Sequence, residues 1–469
     1  MSTLNLKEAW LSLPDAAQEP VVGKILMPAL IRALGYLDDE CYPEFKTGKG
    51  GDKVDFAIRC SKGYEDSFLI APKNPYVLIE IKGRDINLEQ GTSYKKTVNQ
   101  IRKYLHSSAK HSRSAKWGII TNGDNIQLFR RHGLVVYPYT QNLKLTADNI
   151  QQRIALIKYY LENEEKALSI AVYNNKGGVG KTTTVINLAG ILSLPIGKRE
   201  NPLGFAKKVL VVDFDPNQKD LTDLLEVKPN NVTLSKFIQD HKNNNIKDVI
   251  SRYRLLTKSG KEYGFDILPV DDDLHSGQNE YIKYLNRSFL RKALTEVKND
   301  YDYILIDSPP GRNLFTEEAI AASDVVLMPS KHNGIASFKN AAVAMTTMFP
   351  DLGEARRDAE FENTHDSIRY LGDPIPLPIF FNGESITPTQ KEQAQKAILS
   401  IVKAARKEEQ IDLMKFFFPK YTNSRKNLDI FVMPSYAHIA SAAFSSRPAV
   451  FTSKKAREYY RNLVREYFI

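Results

Sequence analysis

A glycine-rich segment has the residue types and spacing that bind phosphate. It follows the apolar run Leu168–Tyr173 and precedes the helical run Thr182–Leu192. Glycines let backbone amides turn toward phosphate oxygens, and the new helix adds the positive end of its dipole. Lys181 would reach the β- and γ-phosphates of a nucleotide, and the Thr182 hydroxyl would bind Mg²⁺. The sequence therefore predicts a nucleotide site, and the alternative is an accidental glycine turn. The residues of the predicted cradle are Lys176, Gly177, Gly178, Val179, Gly180, Lys181, Thr182 and Thr183.

Carboxylates end two further apolar runs of the same region. Asp213 and Asp215 follow the run that begins at Val209, and Asp307 follows the run that begins at Tyr303. Ligands of parallel sheets bind at the carboxyl edge of the strands. These acids are therefore well placed to act in the nucleotide site. A strand-end Asp can instead cap a helix, and this alternative stays open for Asp213 and Asp307.

A second group of acids lies in the first third of the chain. Asp55 belongs to one β-rich run, and Glu80 and Lys82 are two residues apart in another, Tyr76–Lys82. Glu80 and Lys82 then point to one face of a strand, and Asp55 joins them if the two strands pair. Two carboxylates make an oxygen site for Mg²⁺, and a neighbouring lysine can orient or deprotonate water and stabilise phosphate charge. Glu19, on a predicted first helix, is a further candidate acid. The alternative is a Glu/Lys pair on an exposed edge strand.

Two regions with different patterns must position these groups. Residues 1–140 mix helical and β-rich runs in an α+β manner, with helices predicted at Glu19–Leu34 and Leu88–Ser107 and strands at Lys53–Arg59, Tyr76–Lys82, Trp117–Thr121 and Ile126–Arg131. From Leu168, short apolar runs alternate with helical stretches, which predicts an α/β fold with a mostly parallel sheet covered by helices on both faces. The apolar runs are Leu168–Tyr173, Val209–Phe214, Tyr303–Asp307, Val325–Pro329, Leu377–Phe381 and Asp429–Met433. A helix over Ala147–Lys166 would connect a domain of residues 1–165 to one of residues 166–469.

The segment that begins at Lys176 resembles the deviant Walker A motif, KGGVGKT[TS], of the ParA/MinD family of P-loop ATPases. The resemblance extends over residues 166–469. In that family the additional lysine, here Lys176, reaches across a two-fold axis to the nucleotide of the partner subunit. The resemblance therefore implies ATP and Mg²⁺ as cofactors, ATP hydrolysis and a homodimer that forms on ATP binding.

Two further motifs of that family imply roles for the strand-end acids. The segment Asp213-Phe-Asp215-Pro-Asn217 is similar to the family's D-x-D-P-Q motif, with Asn217 standing where Gln is common. By this likeness Asp215 orients or activates the attacking water, and Asp213 supports the Mg²⁺ shell. The segment Tyr303–Gly311 resembles the Walker B strand and its switch loop, in which Asp307 holds Mg²⁺ through water.

Likeness to the ParA/MinD family also extends toward the C-terminus. Asn382 resembles the asparagine that reads the adenine edge, and Pro434 would flank the same base; the alternative is that both are turn residues only. The helix Ser453–Phe468 carries the basic residues Lys454, Lys455, Arg457, Arg461 and Arg465. ParA relatives bind DNA nonspecifically through basic residues of the dimer, so the resemblance implies a DNA-contacting face, and the alternative is a solvated helix face.

The acidic group of the first region resembles the PD-(D/E)xK nuclease superfamily, and specifically the N-terminal nuclease domain of type I restriction-enzyme motor subunits. Gln100 and Tyr104 share one helix face and match the Q-x-x-x-Y element of that branch. Lys116–Gly123 is similar to its K-[WY]-G-I-[LI]-T-N-G strand-turn-strand segment, and Ala33–Tyr36 to its A-L-G-[WY] helix end. The resemblance extends over residues 1–150, although Val54 stands where many members have Pro.

This second resemblance implies a restriction-endonuclease-like α+β domain that cuts DNA. Its catalytic residues would be Asp55, Glu80, Lys82 and Gln100, and the acids for Mg²⁺ would be Glu19, Asp55 and Glu80.

Composition limits the other classes of function. The chain is 42% hydrophobic and 26% charged, which is typical of a globular protein, and its net charge of +10 suits a polyanionic partner. Two cysteines exclude a disulfide scaffold and a multi-cysteine zinc site and fit a reducing compartment. No apolar run approaches the ~20 residues of a membrane span. These observations predict a cytoplasmic protein that does not enter a membrane.

Together the two sites predict a dimerising ATPase that controls an attached Mg²⁺-dependent endodeoxyribonuclease in bacterial defence against foreign DNA. The expected partners are DNA, a second copy of the chain and, left open, a co-encoded protein. One alternative is a DNA-partition or positioning ATPase whose N-terminal domain only binds DNA or a partner. Another is a scaffolding switch that recruits a different effector.

Overall fold

The computed structural model describes residues 4–63, 66–106, 108–256, 260–359, 370–382, 386–408, 411–422, 424–433, 439 and 446–469. These residues form two compact units. The first unit contains the residues up to Glu164, together with 370–373 and Phe468. The second contains the other described residues from Glu165 onward.

The first unit is built from one mixed sheet and four helices among its described residues. Its strands β1 to β7 are Cys41–Lys46, Lys53–Ile58, Val77–Ile81, Trp117–Thr121, Asn125–His132, Val135–Pro138 and Leu143–Lys144. Its helices α1 to α4 are Leu6–Leu11, Glu19–Ala33, Gly91–Leu105 and Ile150–Glu162, and a short 3₁₀ turn lies at Asp38–Glu40.

The sheet of the first unit has the strand order β1-β2-β3-β4-β5-β6, and β7 also pairs with β5. Only β3 and β4 are parallel, and α3 is the crossover between them. β2 pairs antiparallel to β3 with Phe56 opposite Ile79. Asp55 and Glu80, one step further along this register, therefore come opposite each other. The strand pairing that the sequence left conditional is confirmed.

The second unit contains a seven-stranded sheet, a three-stranded sheet and a two-stranded ribbon. Its strands β8 to β19 are Leu168–Val172, Gly197–Lys198, Asn201–Pro202, Val209–Asp213, Ser251–Leu256, Glu262–Leu268, Tyr303–Asp307, Val325–Leu327, Pro329–Ser330, Ile375–Pro376, Phe380–Asn382 and Phe431–Met433. Its described helices α5 to α17 are Lys181–Ser193, Asp220–Leu224, Leu234–Gln239, Ile246–Val249, Asp272–Tyr281, Phe289–Thr295, Leu314–Ala321, Ile335–Val343, Phe349–Ala359, Pro388–Glu408, Met414–Phe417, Ala449–Thr452 and Lys454–Tyr467. A 3₁₀ turn lies at Ile282–Tyr284 and a π turn at Ala344–Met348.

The larger sheet has the strand order β12-β13-β11-β14-β8-β15-β17. All neighbours are parallel except β12 and β13. Helix α5 contacts β8, β11, β13 and β14, and alternate strand residues such as Leu210 and Ile306 pack instead with Phe237, Leu290 and Phe315 from other helices. Helices thus cover both faces, as the continuous apolar runs predict.

Three strand predictions at the C-terminal side differ from the structure. The run Val325–Pro329 is broken, because its strand in the large sheet ends at Leu327 and Pro329 begins a strand of the three-stranded sheet. The run Leu377–Phe381 gives a strand only from Phe380, since Pro378 inside the run lacks the N–H that a ladder needs. The run Asp429–Met433 gives a strand only from Phe431, and this strand and Phe380–Asn382 belong to the parallel three-stranded sheet. Among the described residues, no helix is both long and apolar enough to cross a membrane.

Candidate functional site

The glycine-rich segment of the second unit connects β8 to α5. Gly178 has φ of 70°, and Gly180, the residue before the helix, has φ of 86°. Residues with a Cβ are strained at these angles, and a Cβ on Gly180 would also clash with the side-chain amide of Asn382. Glycine is thus required at this turn. The loop leads into the N-terminus of a 13-residue helix, an arrangement that binds anions.

Asp307 and Thr182 meet at the end of the central strands. Asp213 and Asp307 are register partners on β11 and β14, and Asp307 is also paired with Val172 on β8. Burial raises the pKa of Asp307 to about 8, although a hydrogen bond with Thr182 acts in the opposite direction. Its Oδ1 is buried without a hydrogen-bond partner. An orphaned carboxylate oxygen beside a threonine hydroxyl fits a hydrated Mg²⁺, which takes oxygen ligands.

Lys181 and Asp215 lie close to the same strand ends. Lys181 is only 8% exposed. Burial lowers its pKa, and the negative charges of Asp307 and Asp215 act against that decrease. Asp215 is 6% exposed, and burial raises its pKa although the Asn217 N–H donates to Oδ1 at 3.1 Å. The structure therefore brings the predicted lysine and both predicted acids into one electrostatic group.

Asp213 is fully buried and held by its own loop. Its Oδ2 accepts hydrogen bonds from the Thr222 hydroxyl at 2.6 Å and the Thr222 N–H at 2.9 Å, and its Oδ1 accepts from the Asp215 N–H at 3.3 Å. Burial raises its pKa to about 6. These bonds engage both oxygens and fix the β11 loop beside Asp215. A role in the Mg²⁺ shell stays a prediction.

Lys176 lies over a neighbouring loop of its own chain. A Cβ on Gly334 would be 2.8 Å from Nζ of Lys176. The backbone N–H of Lys176 donates to Oδ1 of Asn174 at 3.0 Å, and Nδ2 of Asn174 donates to the Pro329 carbonyl at 3.0 Å. Asn174 thus anchors the start of the loop. Sequence reasoning missed this residue, although an Asn whose side chain accepts from the backbone N–H two residues on is a known turn signal. Thr222 carried no local signal.

Asn382 ends β18 beside the phosphate loop. It is 4% exposed, and its Nδ2 donates to the Val179 carbonyl at 2.9 Å. The contact shows that this residue supports the loop, while its contact with adenine stays a prediction. Pro434, the other predicted base-flanking residue, lies outside the described residues.

The basic residues of the last helix, α17, have two kinds of surroundings. Arg457 donates to the Val450 carbonyl at 3.2 Å, and Arg461 donates to the Pro202 carbonyl. Lys454, Lys455 and Arg465 are exposed. Lys454, Lys455 and Arg465 are therefore the basic residues of this helix that are most open to a partner.

The predicted acidic group of the first unit comes together at the ends of β2 and β3. Glu80 is 1% exposed, and its Oε1 accepts from Nζ of Lys82 at 2.6 Å. Lys82 also donates to Glu19 at 3.3 Å. The Ile81 N–H donates to Oδ2 of Asp55 at 2.7 Å. The other oxygen of Glu80, Oε2, is buried without a hydrogen-bond partner.

The electrostatics of this group favour a bound cation. Burial raises the pKa of Glu80 to about 7, and the Asp55 charge adds to the increase. Burial also raises the pKa of Asp55. Burial acts to lower the pKa of Lys82, but the bond to Glu80 and the surrounding acids leave it above its usual value. Lys82 therefore stays an ammonium that can stabilise phosphate charge. A divalent ion would relieve the Asp55–Glu80 repulsion and satisfy Oε2.

Gln100 and Tyr104 face this group from α3. Nε2 of Gln100 donates to the Tyr104 hydroxyl at 2.9 Å, which confirms that the two share one helix face. Burial raises the pKa of Tyr104, and the charges of Glu80 and Asp55 add to the increase. Within the part of the chain that the structure describes, no three His, Cys, Asp or Glu side chains are arranged to hold a metal ion. The candidate ligands for a metal ion in the first unit are Oε2 of Glu80, which has no hydrogen-bond partner, and the carboxylate of Asp55.

Comparison with known proteins finds similarity in the part of the chain that contains the phosphate loop. Residues 167–345 match a family described as an AAA domain. The sporulation initiation inhibitor protein Soj of Bacillus subtilis (strain 168) is 36% identical over 161 residues, which are 34% of this chain and 56% of Soj. This segment is a P-loop domain of the ParA/MinD type. The chromosome partitioning protein ParA of Myxococcus xanthus (strain DK1622) is 35% identical over 161 residues, 34% of this chain and 50% of that protein. The chain thus spans about half the length of the curated relatives it matches.

Two solved structures are each similar to a little under two thirds of the chain. The Cyanothece McdA–ATP complex is 21% identical, covers 64% of this chain and 96% of its own, and has a TM-score of 0.43. The septum site-determining protein MinD from Pyrococcus horikoshii OT3, complexed with Mg-ADP, is 21% identical, covers 63% of this chain and 93% of its own, and has a TM-score of 0.39.

Proposed function

We propose that this protein binds and hydrolyses ATP, dimerises in its ATP-bound state, and thereby controls an attached Mg²⁺-dependent DNA nuclease. The observation that carries the nuclease half is the Glu80 carboxyl group, whose Oε2 is buried without a hydrogen-bond partner and whose pKa is raised by burial and by the Asp55 charge. Lys82 contacts the other oxygen of Glu80. A carboxylate pair with an adjoining ammonium is suited to metal-assisted phosphodiester hydrolysis.

The ATPase half rests on the phosphate loop and the acids at its rim. The loop amides and Lys181 would hold the phosphates of ATP, and Thr182 and Asp307 would hold Mg²⁺. Bound Mg²⁺ supplies neutralisation of the charge that develops on the phosphates. Asp215 would orient the attacking water. The curated relatives Soj and ParA, each matched over 34% of this chain, support this half of the proposal.

In the first unit, Asp55 and Glu80 would hold the metal ion. Bound Mg²⁺ supplies an activated water and stabilises charge on the scissile phosphate. Lys82, held as an ammonium, adds a second positive charge at that phosphate, and Gln100 positions the group from α3. The order of elements α2-β1-β2-β3-α3-β4, with one parallel pair, supports a restriction-endonuclease-like domain. Such a pair of activities in one chain suits defence against foreign DNA.

A second candidate is a DNA-partition or positioning ATPase whose first unit only binds DNA or a partner. Similarity to the Myxococcus xanthus ParA favours this second candidate, because that relative is a chromosome partitioning protein. The two candidates differ in one result. Only the nuclease cuts supercoiled plasmid in the presence of Mg²⁺, and only that cutting depends on Glu80.

Lys176 gives the test of ATP control. If its amine serves the partner's nucleotide across a two-fold interface, Lys176→Ala should lose ATP-dependent dimerisation and any ATP-stimulated plasmid cleavage while it still binds ATP. Light scattering at saturating ATP, a fluorescent-nucleotide titration and a plasmid nicking assay measure the three properties. Lys198→Ala, at an exposed lysine of the same unit, is the matched control. Equal loss of nucleotide binding and dimerisation would mean that Lys176 acts only within its own subunit.

The pH dependence of Mg²⁺ binding gives a test of the carboxylate site. Because the pKa of Glu80 is raised to about 7, a metal ion must displace its proton below that pH. The apparent Mg²⁺ affinity of the ATP-free protein should therefore rise by roughly tenfold per pH unit below pH 7 and level off above it. Calorimetric titration in two buffers of different ionisation enthalpy counts the released protons. Equal affinity and no proton release at pH 6 and pH 8 would contradict the assignment.

A further inference from the structure

Four basic side chains of the first unit form a group around the C-terminal end of α3, here termed the basic cluster. Lys49 lies on the turn between β1 and β2, His106 follows α3, Arg113 lies on the connection to β4, and Arg131 lies on β5. His106 and Arg113 are exposed, and Lys49 and Arg131 are half-buried. Segments that are distant in the sequence thus place basic groups on one surface.

Backbone contacts hold the basic cluster together. Arg131 donates to the carbonyls of Leu105, at 3.2 Å, and Arg113. The turn that carries Lys49 is attached to the same connection, because the His111 N–H donates to the Thr47 carbonyl at 2.9 Å. The arrangement of the cluster is therefore fixed by the fold.

Cations of the cluster act on His106 and on Arg131. Burial lowers the pKa of His106, and the charges of Lys49 and Arg131 lower it further. Burial and the charge of Arg113 lower the pKa of Arg131. Asp52, an acid on the same turn as Lys49, forms its ion pair with Lys103 at 2.6 Å. An anion that bound here would relieve repulsion among the cations.

The cluster adjoins the helix face that looks onto the acids. The charges of Glu80, Asp55 and Asp52 all act on Tyr104, so this side chain lies within electrostatic range of the carboxylate site and of the Lys49 turn. The next residue, Leu105, supplies the carbonyl that holds Arg131. A polyanion that extends from the cluster along this face of α3 would run toward Asp55 and Glu80.

We propose that the basic cluster binds the phosphate backbone of duplex DNA and guides it to the carboxylate site. This inference rests on the proposed nuclease function and names the surface by which the first unit holds its substrate. Binding here needs no ATP, since the cluster belongs to the first unit. Contacts of this kind are insensitive to base sequence and weaken with salt, because each neutralised phosphate releases counterions.

The test measures DNA binding apart from cleavage. A fluorescent 30-base-pair duplex is titrated with the full-length protein without ATP, and every variant also carries Glu80→Gln so that no cutting occurs. We expect Lys49→Glu to weaken binding by about tenfold at low salt. Lys49→Ala with Arg113→Ala should lower the slope of log affinity against log salt by about 1.8, or roughly 0.9 per phosphate contact. Lys62→Glu, at an exposed lysine of the same unit, is the charge-matched control.

The outcomes separate this inference from the proposed function. Three results would overturn the assignment of the basic cluster as a DNA-binding surface. They are a loss of DNA affinity no greater than that of Lys62→Glu, an unchanged slope of log affinity against log salt, and tighter binding to duplex RNA of the same sequence. If the surface variants behave as expected while the protein with Glu80 intact never cuts plasmid, the surface stands and the nuclease function fails. Melting temperatures within about 2 °C of the parent protein would show that the variants are folded, since 1 kcal/mol shifts the melting temperature of a large domain by about 2–4 °C.

Discussion

We expect Lys181→Ala to lower ATP affinity by about a hundredfold and to remove measurable ATP hydrolysis. Lys181 is 8% exposed at the first position of α5, where burial lowers its pKa and the charges of Asp307 and Asp215 oppose that decrease. A charge-assisted contact to phosphate in such a site contributes about 3 kcal/mol, which is about a hundredfold in affinity. Fluorescent-nucleotide titration and phosphate release measure the two losses.

The control for this prediction is Lys198→Ala, which removes an exposed lysine of the same unit. It should bind and hydrolyse ATP as the unmodified protein does. Lys181→Ala also removes a positive charge that lowers the pKa of Asp307 and Asp215, so its melting temperature must be measured beside its activity. A folded Lys181→Ala protein with unchanged ATPase activity would remove the phosphate-loop assignment.

The phosphate loop was predictable from sequence because its signals are local. The apolar run from Leu168, the glycines and the helix that starts near Lys181 are contiguous, and the structure confirms a strand, a loop and a helix in that order. Gly178 and Gly180 are at positive φ, which is the reason that the pattern requires glycine there. Asp307 was predictable for a related reason, since parallel strands bring their carboxyl ends to one edge.

The carboxylate group of the first unit was predictable only in part. The two-residue period of a strand puts Glu80 on a defined face, but the position of Asp55, 25 residues earlier in the chain, depends on how β2 and β3 pair. The register Phe56–Ile79 settles that question. The fully buried environment that raises the pKa of Glu80 to about 7 comes from tertiary packing and has no signal in the sequence near Glu80.

Two features of the second unit were not predicted from the sequence, and only one of them has a local signal. The edge strand Ser251–Leu256 has an alternating pattern, with Arg252 and Arg254 exposed, that could have been recognised as a strand with one face in solvent. Thr222 could not have been recognised, because its value lies in two hydrogen bonds to the buried Asp213. The sequence around Thr222 does not indicate that its short helix packs against the strand end that carries Asp213.

We expect Glu80→Gln to reduce Mg²⁺-dependent plasmid cleavage by at least about a thousandfold while ATP hydrolysis is unchanged. The substitution keeps the shape of the side chain and removes the charge that would hold the metal ion. Metal stabilisation of a phosphoryl transition state amounts to several kcal/mol, and about 4 kcal/mol corresponds to a thousandfold in rate. The assay follows supercoiled plasmid with Mg²⁺, with and without ATP.

Loss of activity in this variant should not come from unfolding. Because burial raises the pKa of Glu80 to about 7, the fold prefers the neutral side chain, and at pH 8 the ionised carboxylate costs stability that a glutamine does not. The melting temperature of Glu80→Gln at pH 8 should therefore equal or exceed that of the unmodified protein. Glu44→Gln, at an exposed glutamate paired with Lys53, is the matched control and should cut normally. Cleavage by Glu80→Gln at the unmodified rate would show that the activity arises elsewhere, and the partition function would then be the better account of the chain.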